Sequence, residues 1–177
     1  MLSSTLLQIF TSFALPFVIF TGPVETVVEL SSPIRIVIPK IKIDALIEHV
    51  GLTANGAMDA PKYPFNAAWF ALGVNPGNIG SAVINGHFGW KDGVGAVFDD
   101  LEALQIGDRI YIEYKIGTNV VFIVRNIQMY GSGEDTSTVF FSDDGKAHLN
   151  LITCGGIWDK TSESYSDRLV VFTDREN

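Results

Sequence analysis

The sequence predicts a mainly β domain whose strands close, or nearly close, into a barrel. Three observations favour this fold class: seven or eight short runs rich in β-branched and aromatic residues, turn-forming residues at close spacing between them, and only brief helical segments. The pattern therefore favours a barrel over a βαβ fold. A chain of 177 residues is long enough for one such domain with a substantial core.

The first elements follow from alternation and from turn residues. The segment IRIVIPKIKIDALIEHV (34–50) alternates apolar and other residues around Pro39, which predicts two short strands or one broken edge strand. Asn55-Gly56 supplies the turn that follows. We then expect one or two helical turns in FNAAWFALG (65–73) and a loop in NPGNIG (75–80).

In the second half of the chain, SAVING (81–86) reads as a buried strand and FDDLEALQIGD (98–108) as a short amphipathic helix. A hairpin is predicted from RIYIEYKIG (109–117) and NVVFIVRNIQMY (119–130). The polar loop 131–147 follows it.

The last two predicted strands are HLNLITC (148–154) and RLVVFT (168–173), which bracket the loop 155–167.

The N-terminus carries a different signal. Residues 1–24 contain no charge, and Leu6 to Phe20 is almost wholly apolar, which predicts an uncleaved membrane anchor, a cleaved signal peptide or a buried helix. Residues 25–33 would form a linker and residues 34–177 the barrel domain. Either targeting interpretation puts the domain outside the cytoplasm.

Composition excludes several function classes. A net charge of -8 argues against a nucleic-acid binder, which would carry a clustered basic face. One cysteine excludes an intramolecular disulfide, and neither it nor the three histidines has the spacing of zinc ligands. No EF-hand-like or phosphate-loop motif occurs, so we predict no metal or other cofactor, and modulation by Ca²⁺ is not indicated.

Cys154 ends an apolar strand, so it is either a buried hydrophobe or a reactive thiol. A nucleophilic cysteine needs a base or a cation nearby. His148 lies six residues earlier on the same strand, about 20 Å away, and is excluded as a partner. His49 is expected to be structural, whereas His87 follows a buried strand at a place where sites are built, so a catalytic and a structural role both stay open.

Arg168 begins the last predicted strand. If the strands around residues 148–154 and 168–173 pair antiparallel, Cys154 and Arg168 stand side by side. A guanidinium there can donate hydrogen bonds to a developing oxyanion. The alternative is an exposed arginine paired with Asp167.

The combination of GHFGW (86–90), LITC (151–154) and RLVVF (168–172) resembles the sortases, membrane-anchored cysteine transpeptidases of mainly Gram-positive bacteria with an eight-stranded β-barrel. The resemblance covers about residues 34–174. NLITC is similar to the family motif T-L-x-T-C, with Asn150 in place of the first threonine. GHFGWKDGVGAVFDDLEALQIGD (86–108) is similar to class F and to the related D and E classes.

The resemblance implies a role for each residue. Cys154 would attack an LPXTG-like sorting signal between Thr and Gly to form a thioacyl enzyme, as a thiol peptidase of the hydrolase class would. His87 would then exchange protons with the amines, and Arg168 would hold the oxyanion or the substrate backbone.

Weaker predictions concern substrate contacts. Thr153 would touch substrate, Gly155 and its neighbour Gly156 would leave room for a peptide backbone, and Val139 and Phe140 would form an apolar groove wall.

The partners implied are surface proteins that bear a sorting signal, an amine acceptor that is a cell-wall precursor or a protein, and the membrane through residues 1–24. The enzyme would work at the outer face of the bacterial membrane.

The sequence leaves two alternative functions. An L,D-transpeptidase would call for a histidine two residues before the nucleophile, where Ile152 stands. A non-catalytic surface or adhesion barrel would have no need of Cys154, His87 and Arg168 together.

Overall fold

The computed structural model describes residues 32–161 and 163–176, and these contain eight strands. The strands are β1 (Pro33–Ile38), β2 (Ile43–Val50), β3 (Ala67–Phe70), β4 (Gly80–Gly86), β5 (Arg109–Tyr114), β6 (Asn119–Gly131), β7 (Ala147–Asp159) and β8 (Ser164–Arg175). One short helix, α1 (Ser137–Phe140), lies between β6 and β7. Most of the predicted N-terminal segment and linker lies outside the described residues.

The strands form a closed barrel in the order β1-β2-β3-β4-β7-β8-β6-β5, with β5 pairing back to β1. The pairs β2–β3 and β4–β7 are parallel, and the others are antiparallel. The predicted fold class is therefore confirmed. Closure satisfies the backbone hydrogen bonds that an edge strand would leave open.

Side-chain alternation along the strands builds two apolar layers. One set points into the barrel, where Ile36, Ile84, Phe122 and Leu149 are fully buried. The other set lies on the outer face, where Val83, Val170 and Phe172 pack beneath α1 and its Val139. This outer cluster fixes α1 against β4, β7 and β8, next to the end of β7 that carries Cys154.

Two sequence predictions of helix are wrong. Residues 65–73 contain strand β3, because Ala67, Ala68 and Trp69 pair with β2 on one side and β4 on the other. Residues 98–108 contain only the single 3-10 turn Leu101–Ala103. Leu101 and Leu104 are buried there as the helical spacing predicted, but the chain turns at Gly107, whose φ is +96°, to enter β5.

The predicted loop 155–167 is mostly strand. β7 continues to Asp159 and β8 begins at Ser164, with an irregularity in their register between Gly155 and Trp158. Trp158 then stands opposite Tyr165. The two predicted strands at 34–50 are confirmed, and Pro39–Ile41 forms the 3-10 turn between them. In residues 32–161 and 163–176, no helix is both long enough and apolar enough to span a membrane.

Candidate active site

Cys154 and Arg168 are direct neighbours on paired strands. β7 and β8 run antiparallel with Cys154 opposite Arg168, the register that the sequence predicted. Leu151 and Thr153 are buried on the inner face of β7, so alternation turns Cys154 to the outer face, where it is a half-buried free thiol. The thiol is therefore presented at the surface of the barrel and is not part of its core.

The Arg168 guanidinium is held by main-chain carbonyls. Its Nη1 donates to the carbonyl oxygens of Tyr165 at 3.0 Å and Asp167 at 2.8 Å. The contact with Asp167 is thus to the backbone, while the Asp167 carboxylate accepts a hydrogen bond from Ser166. Nε and Nη2 have no hydrogen-bond partner among the described residues, which leaves two sides of an exposed guanidinium available to a ligand.

His87 follows β4 directly and is fixed by one hydrogen bond and one ring contact. Its Nε2 lies 2.7 Å from the carbonyl oxygen of Pro61. A carbonyl can only accept, so Nε2 carries a proton and donates it to Pro61. The imidazole ring also packs edge-on against Trp90, with 4.6 Å between ring centroids.

His87 and Cys154 line the same cavity, of about 490 Å³. Its lining also includes four aromatic side chains, those of Phe88, Trp90, Trp158 and Tyr165. Tyr165 joins them, with ring centroids 5.3 Å from Phe88 and 5.0 Å from Trp158. Sequence reasoning missed Trp158 and Tyr165 because both fell in a predicted loop; their placement depends on the continued pairing of β7 with β8.

A second cavity, of about 570 Å³, is lined by Arg168, the strand partner of Cys154. It is largely apolar and is lined by Phe70, Val139, Phe140, Ile152 and Val170, with Arg168 at one end. Val139 and Phe140 therefore lie at a groove, but they differ in exposure. Val139 is 1% exposed and belongs to the outer cluster, whereas Phe140 is 39% exposed and packs edge-on against Phe70.

Thr153 does not line these cavities, and Gly155 is more crowded than predicted. Thr153 is buried, and its hydroxyl donates to the carbonyl oxygen of Gly86 at 2.8 Å, so its side chain links β7 to β4 instead of facing substrate. A Cβ on Gly155 would lie 2.9 Å from the Met129 sulfur. The Cβ direction at Gly155 is thus occupied by Met129 of β6, while Gly155 itself lines a small cavity of about 140 Å³ together with Cys154.

Gly156 is constrained more strongly. Its φ is +76°, and an added Cβ would run into the Asp167 carboxylate and the Ser166 hydroxyl. Gly156 thus serves the packing of the β7–β8 hairpin, whereas Gly155 packs against Met129 of β6.

The other two histidines lie away from the thiol. Both ring nitrogens of buried His148 hydrogen-bond carboxylates, Nδ1 that of Asp174 at 2.7 Å and Nε2 that of Asp144 at 2.9 Å. His49 Nε2 lies 3.1 Å from the Pro33 carbonyl oxygen. Within residues 32–161 and 163–176, no group of three or more His, Cys, Asp or Glu side chains could hold a metal ion.

The sortase domain model matches residues 36–176, which is most of the chain. The chain belongs to the sortase domain family. The resemblance stated from GHFGW, LITC and RLVVF is thereby confirmed at the level of the family.

Solved sortases share the fold. The lid mutant of sortase A from Corynebacterium diphtheriae is 27% identical, with a TM-score of 0.65 over 84% of this chain and 72% of that one. Sortase C-1 from Actinomyces oris is 25% identical, with a TM-score of 0.65 over 81% and 71%. Sortase C1 from Streptococcus agalactiae, in a complex with MTSET, is 22% identical, with a TM-score of 0.63 over 81% and 66%, and shows the fold alone. No curated protein matches the chain.

Proposed function

We propose that this protein is a cysteine transpeptidase that cleaves an LPXTG-like sorting signal and joins the acyl part to an amine. The observation that carries the proposal is the setting of Cys154. The thiol lies on the outer face of β7, directly opposite Arg168, and shares a cavity with His87. Membership of the sortase domain family favours this reaction over that of an L,D-transpeptidase.

The reaction divides into two acyl transfers. The Cys154 thiolate attacks the carbonyl carbon of the scissile peptide, and the C–N bond of the resulting tetrahedral intermediate breaks as His87 protonates the departing amine. The product is a thioacyl enzyme and a free peptide amine. An acceptor amine then attacks the thioester carbonyl, His87 removes its proton, and the Cys154 thiolate leaves.

Arg168 stabilises the charge that develops during both transfers. The carbonyl oxygen becomes an oxyanion in each tetrahedral intermediate, and hydrogen-bond donors fixed in advance stabilise that charge. The carbonyls of Tyr165 and Asp167 hold Nη1, so the unused Nε and Nη2 are the donors that can serve substrate. A guanidinium suits this role because it stays charged and offers a planar pair of N–H groups.

The two cavities, one lined by Cys154 and the other by its strand partner Arg168, fit the two halves of the substrate. His87 must reach the leaving and the incoming amine, so the amine side belongs to the aromatic cavity that His87 lines. The acyl side then belongs to the apolar cavity of Phe140, Ile152 and Arg168. The apolar residues of a sorting signal would pack there, and Phe140 has exposed surface to offer them.

The finer assignments are part of the same proposal. We place the enzyme in class F or a related D or E class, within the hydrolases, on the similarity of residues 86–108. It would work without a cofactor at the outer face of the bacterial membrane, tethered by residues 1–24. Its substrates would be surface proteins with a sorting signal, and its acceptor would be a cell-wall precursor or a protein amine.

Turnover of a quenched fluorescent LPXTG peptide in the presence of an amine tests the proposal. Cys154→Ala should abolish product and the covalent adduct with a thiol-reactive sorting-peptide analogue, since the nucleophile is gone. Arg168→Lys should lower kcat/KM about 100-fold, because an ammonium cannot replace the guanidinium fork. Arg175→Lys is the matched control: it makes the same change at the other end of β8, where Arg175 Nη1 binds the Gly77 carbonyl, and activity should persist.

Two outcomes would overturn the assignment. Acyl transfer by Cys154→Ala would show that another residue is the nucleophile. No turnover of any peptide from a sorting-motif library, together with equal thiol labelling in wild type and His87→Ala, would favour the non-catalytic surface barrel.

A further inference from the structure

The loop between β2 and β3 passes beside His87 and presents its backbone to the imidazole. Pro61, in this loop, supplies the carbonyl oxygen that accepts the hydrogen bond from His87 Nε2 at 2.7 Å. Pro61 is itself buried, although its neighbours Ala60 and Lys62 are exposed. The position of one main-chain carbonyl therefore decides which nitrogen of His87 carries the proton.

Glu48, on β2, fastens this loop on the far side of Pro61. Its carboxylate accepts hydrogen bonds from the backbone N–H of Lys62 at 2.9 Å, from the backbone N–H of Tyr63 at 3.4 Å and from Nδ2 of Asn66 at 2.8 Å. Burial raises the pKa of Glu48, but these hydrogen bonds to the ionised carboxylate outweigh burial and lower it below its ordinary value. Glu48 is thus an anionic clamp on the two residues that follow Pro61.

A second anchor holds the loop before Pro61. Nδ2 of Asn85, on β4, donates to the carbonyl oxygen of Asp59 at 2.9 Å. Asn85 lies two residues before His87, so the same strand end that carries the imidazole also binds the loop. The backbone is therefore held on both sides of Pro61, by Asn85 of β4 before it and by Glu48 of β2 after it.

We propose that Glu48 is a positioning residue for His87. By fixing residues 62 and 63, Glu48 keeps the Pro61 carbonyl in line with Nε2, so that neutral His87 holds its proton on Nε2 and presents a free lone pair at Nδ1. Nδ1 then takes the proton of the Cys154 thiol as the thiolate forms, gives that proton to the departing amine, and takes one from the acceptor amine in the second transfer. This last step rests on the proposed transpeptidase function, whereas the tautomer of His87 does not.

Glu48→Gln tests the inference with little change in shape. A glutamine keeps the length of the side chain but has only one acceptor oxygen, and its NH₂ group opposes the backbone N–H groups that Glu48 binds. The loop should shift, and His87 should lose its single preferred tautomer. Asn66→Ala removes one of the three hydrogen bonds and should give a smaller shift in the same direction, which provides a second variant if Glu48→Gln folds poorly.

Two readouts separate positioning from general stability. Long-range ¹H–¹⁵N spectra of ¹⁵N-histidine-labelled protein, with His87 assigned by comparison with His87→Gln, should show the Nε2–H tautomer in wild type and a mixture in Glu48→Gln. In peptide turnover, Glu48→Gln should lower kcat roughly tenfold and change KM less than about twofold, since proton transfer suffers and binding does not.

Asp108→Asn is the matched control. Asp108 also accepts a hydrogen bond from a loop N–H, that of Gln105 at 2.8 Å, but in the turn before β5. The Asp108→Asn substitution should therefore leave both the His87 spectrum and kcat unchanged.

The proposal fails if wild-type His87 is the Nδ1–H tautomer, or if Glu48→Gln keeps the wild-type His87 spectrum. If no peptide is turned over even by wild type, the transpeptidase function fails, and the spectra still decide whether Glu48 positions His87.

Discussion

Gly155 and Gly156 lack side chains because neighbouring strands already occupy that space. A Cβ at Gly155 would press on Met129 of β6, whose flexible end can move. A Cβ at Gly156 would run into Asp167 and Ser166 of β8, and φ at Gly156 is positive as well. The absence of side chains at these two positions therefore lets β7 pack closely against β6 and β8 where its register with β8 becomes irregular, just after Cys154.

We expect Gly156→Ala to destabilise the protein and to slow turnover by moving Arg168 relative to the thiol. Gly117→Ala is the control, because Gly117 also has a positive φ, of +81°, but nothing lies within 4 Å of its added Cβ. The control should cost about 1–2 kcal/mol from backbone strain alone. Thermal unfolding should show a larger loss for Gly156→Ala, and equal losses would mean that the contacts with β8 do not matter.

Some site residues could be predicted from sequence because their geometry is local. Cys154 and Arg168 belong to consecutive strands, so antiparallel pairing alone brought them together. The same alternation that exposes Cys154 also turns Thr153 inward, so the sequence held the signal that Thr153 is buried. The crowding at Gly155 could not be predicted from alternation, because the side chain beside it is that of Met129 on β6, a strand from another part of the chain.

At the scale of elements, α1 is held to the barrel by a polar contact as well as by the outer cluster. Asn150, fully buried on β7, donates from Nδ2 to the carbonyl oxygen of Val139 at 2.6 Å. This bond connects the strand of the nucleophile to the helix that carries Phe140. Asn150 stands where the family motif has threonine, and here it fixes the wall of the apolar cavity.

Asn150→Ala should therefore loosen α1. We expect a loss of about 1–3 kcal/mol in the free energy of unfolding, and faster hydrogen exchange at the Val139 and Phe141 amides, which bond within this turn. Thr173→Val is the control, since it removes another buried hydrogen bond to β7, from the Thr173 hydroxyl to the Leu149 carbonyl. If Asn150→Ala leaves the hydrogen-exchange rates of the Val139 and Phe141 amides unchanged, this prediction is wrong.

Strand β3 shows where element prediction fails. Ala67–Phe70 has the alanine content of a helix and only four residues, so its local pattern is weak. It becomes a strand because β2 and β4 offer hydrogen-bond partners on both sides, and the partner on β2 is parallel and distant in sequence. Such tertiary pairing overrides local propensity.

For the molecule as a whole, several carboxylates hold their protons less tightly in the folded than in the unfolded chain. The pKa is lowered at Asp44, Glu48, Asp135, Asp144 and Glu176. The largest cause at Asp144 is the hydrogen bond from His148, and the pKa falls from 3.8 to about 2. The unfolded chain therefore binds more protons in acid, and stability present above pH 4 is lost as the pH falls toward 2.

Asp144→Asn should remove one part of this acid dependence. We expect its Tm to lie below that of wild type at pH 6, and the difference to shrink between pH 4 and pH 2 as wild-type Asp144 gains its proton. Circular dichroism melts at fixed ionic strength would measure this. A difference that stays constant down to pH 2 would show that the charge of Asp144 is not what stabilises the fold.

The hydrogen bond from His87 to Pro61 has an evolutionary consequence. Every amino acid carries a main-chain carbonyl, so no point substitution at position 61 deletes the acceptor itself. An alanine scan would pass over it, and a search for invariant polar side chains near His87 would miss it. What selection can act on is the shape of the loop, so the signature of this contact would be a constant spacing between Glu48 and Asn66 rather than a shared residue at position 61.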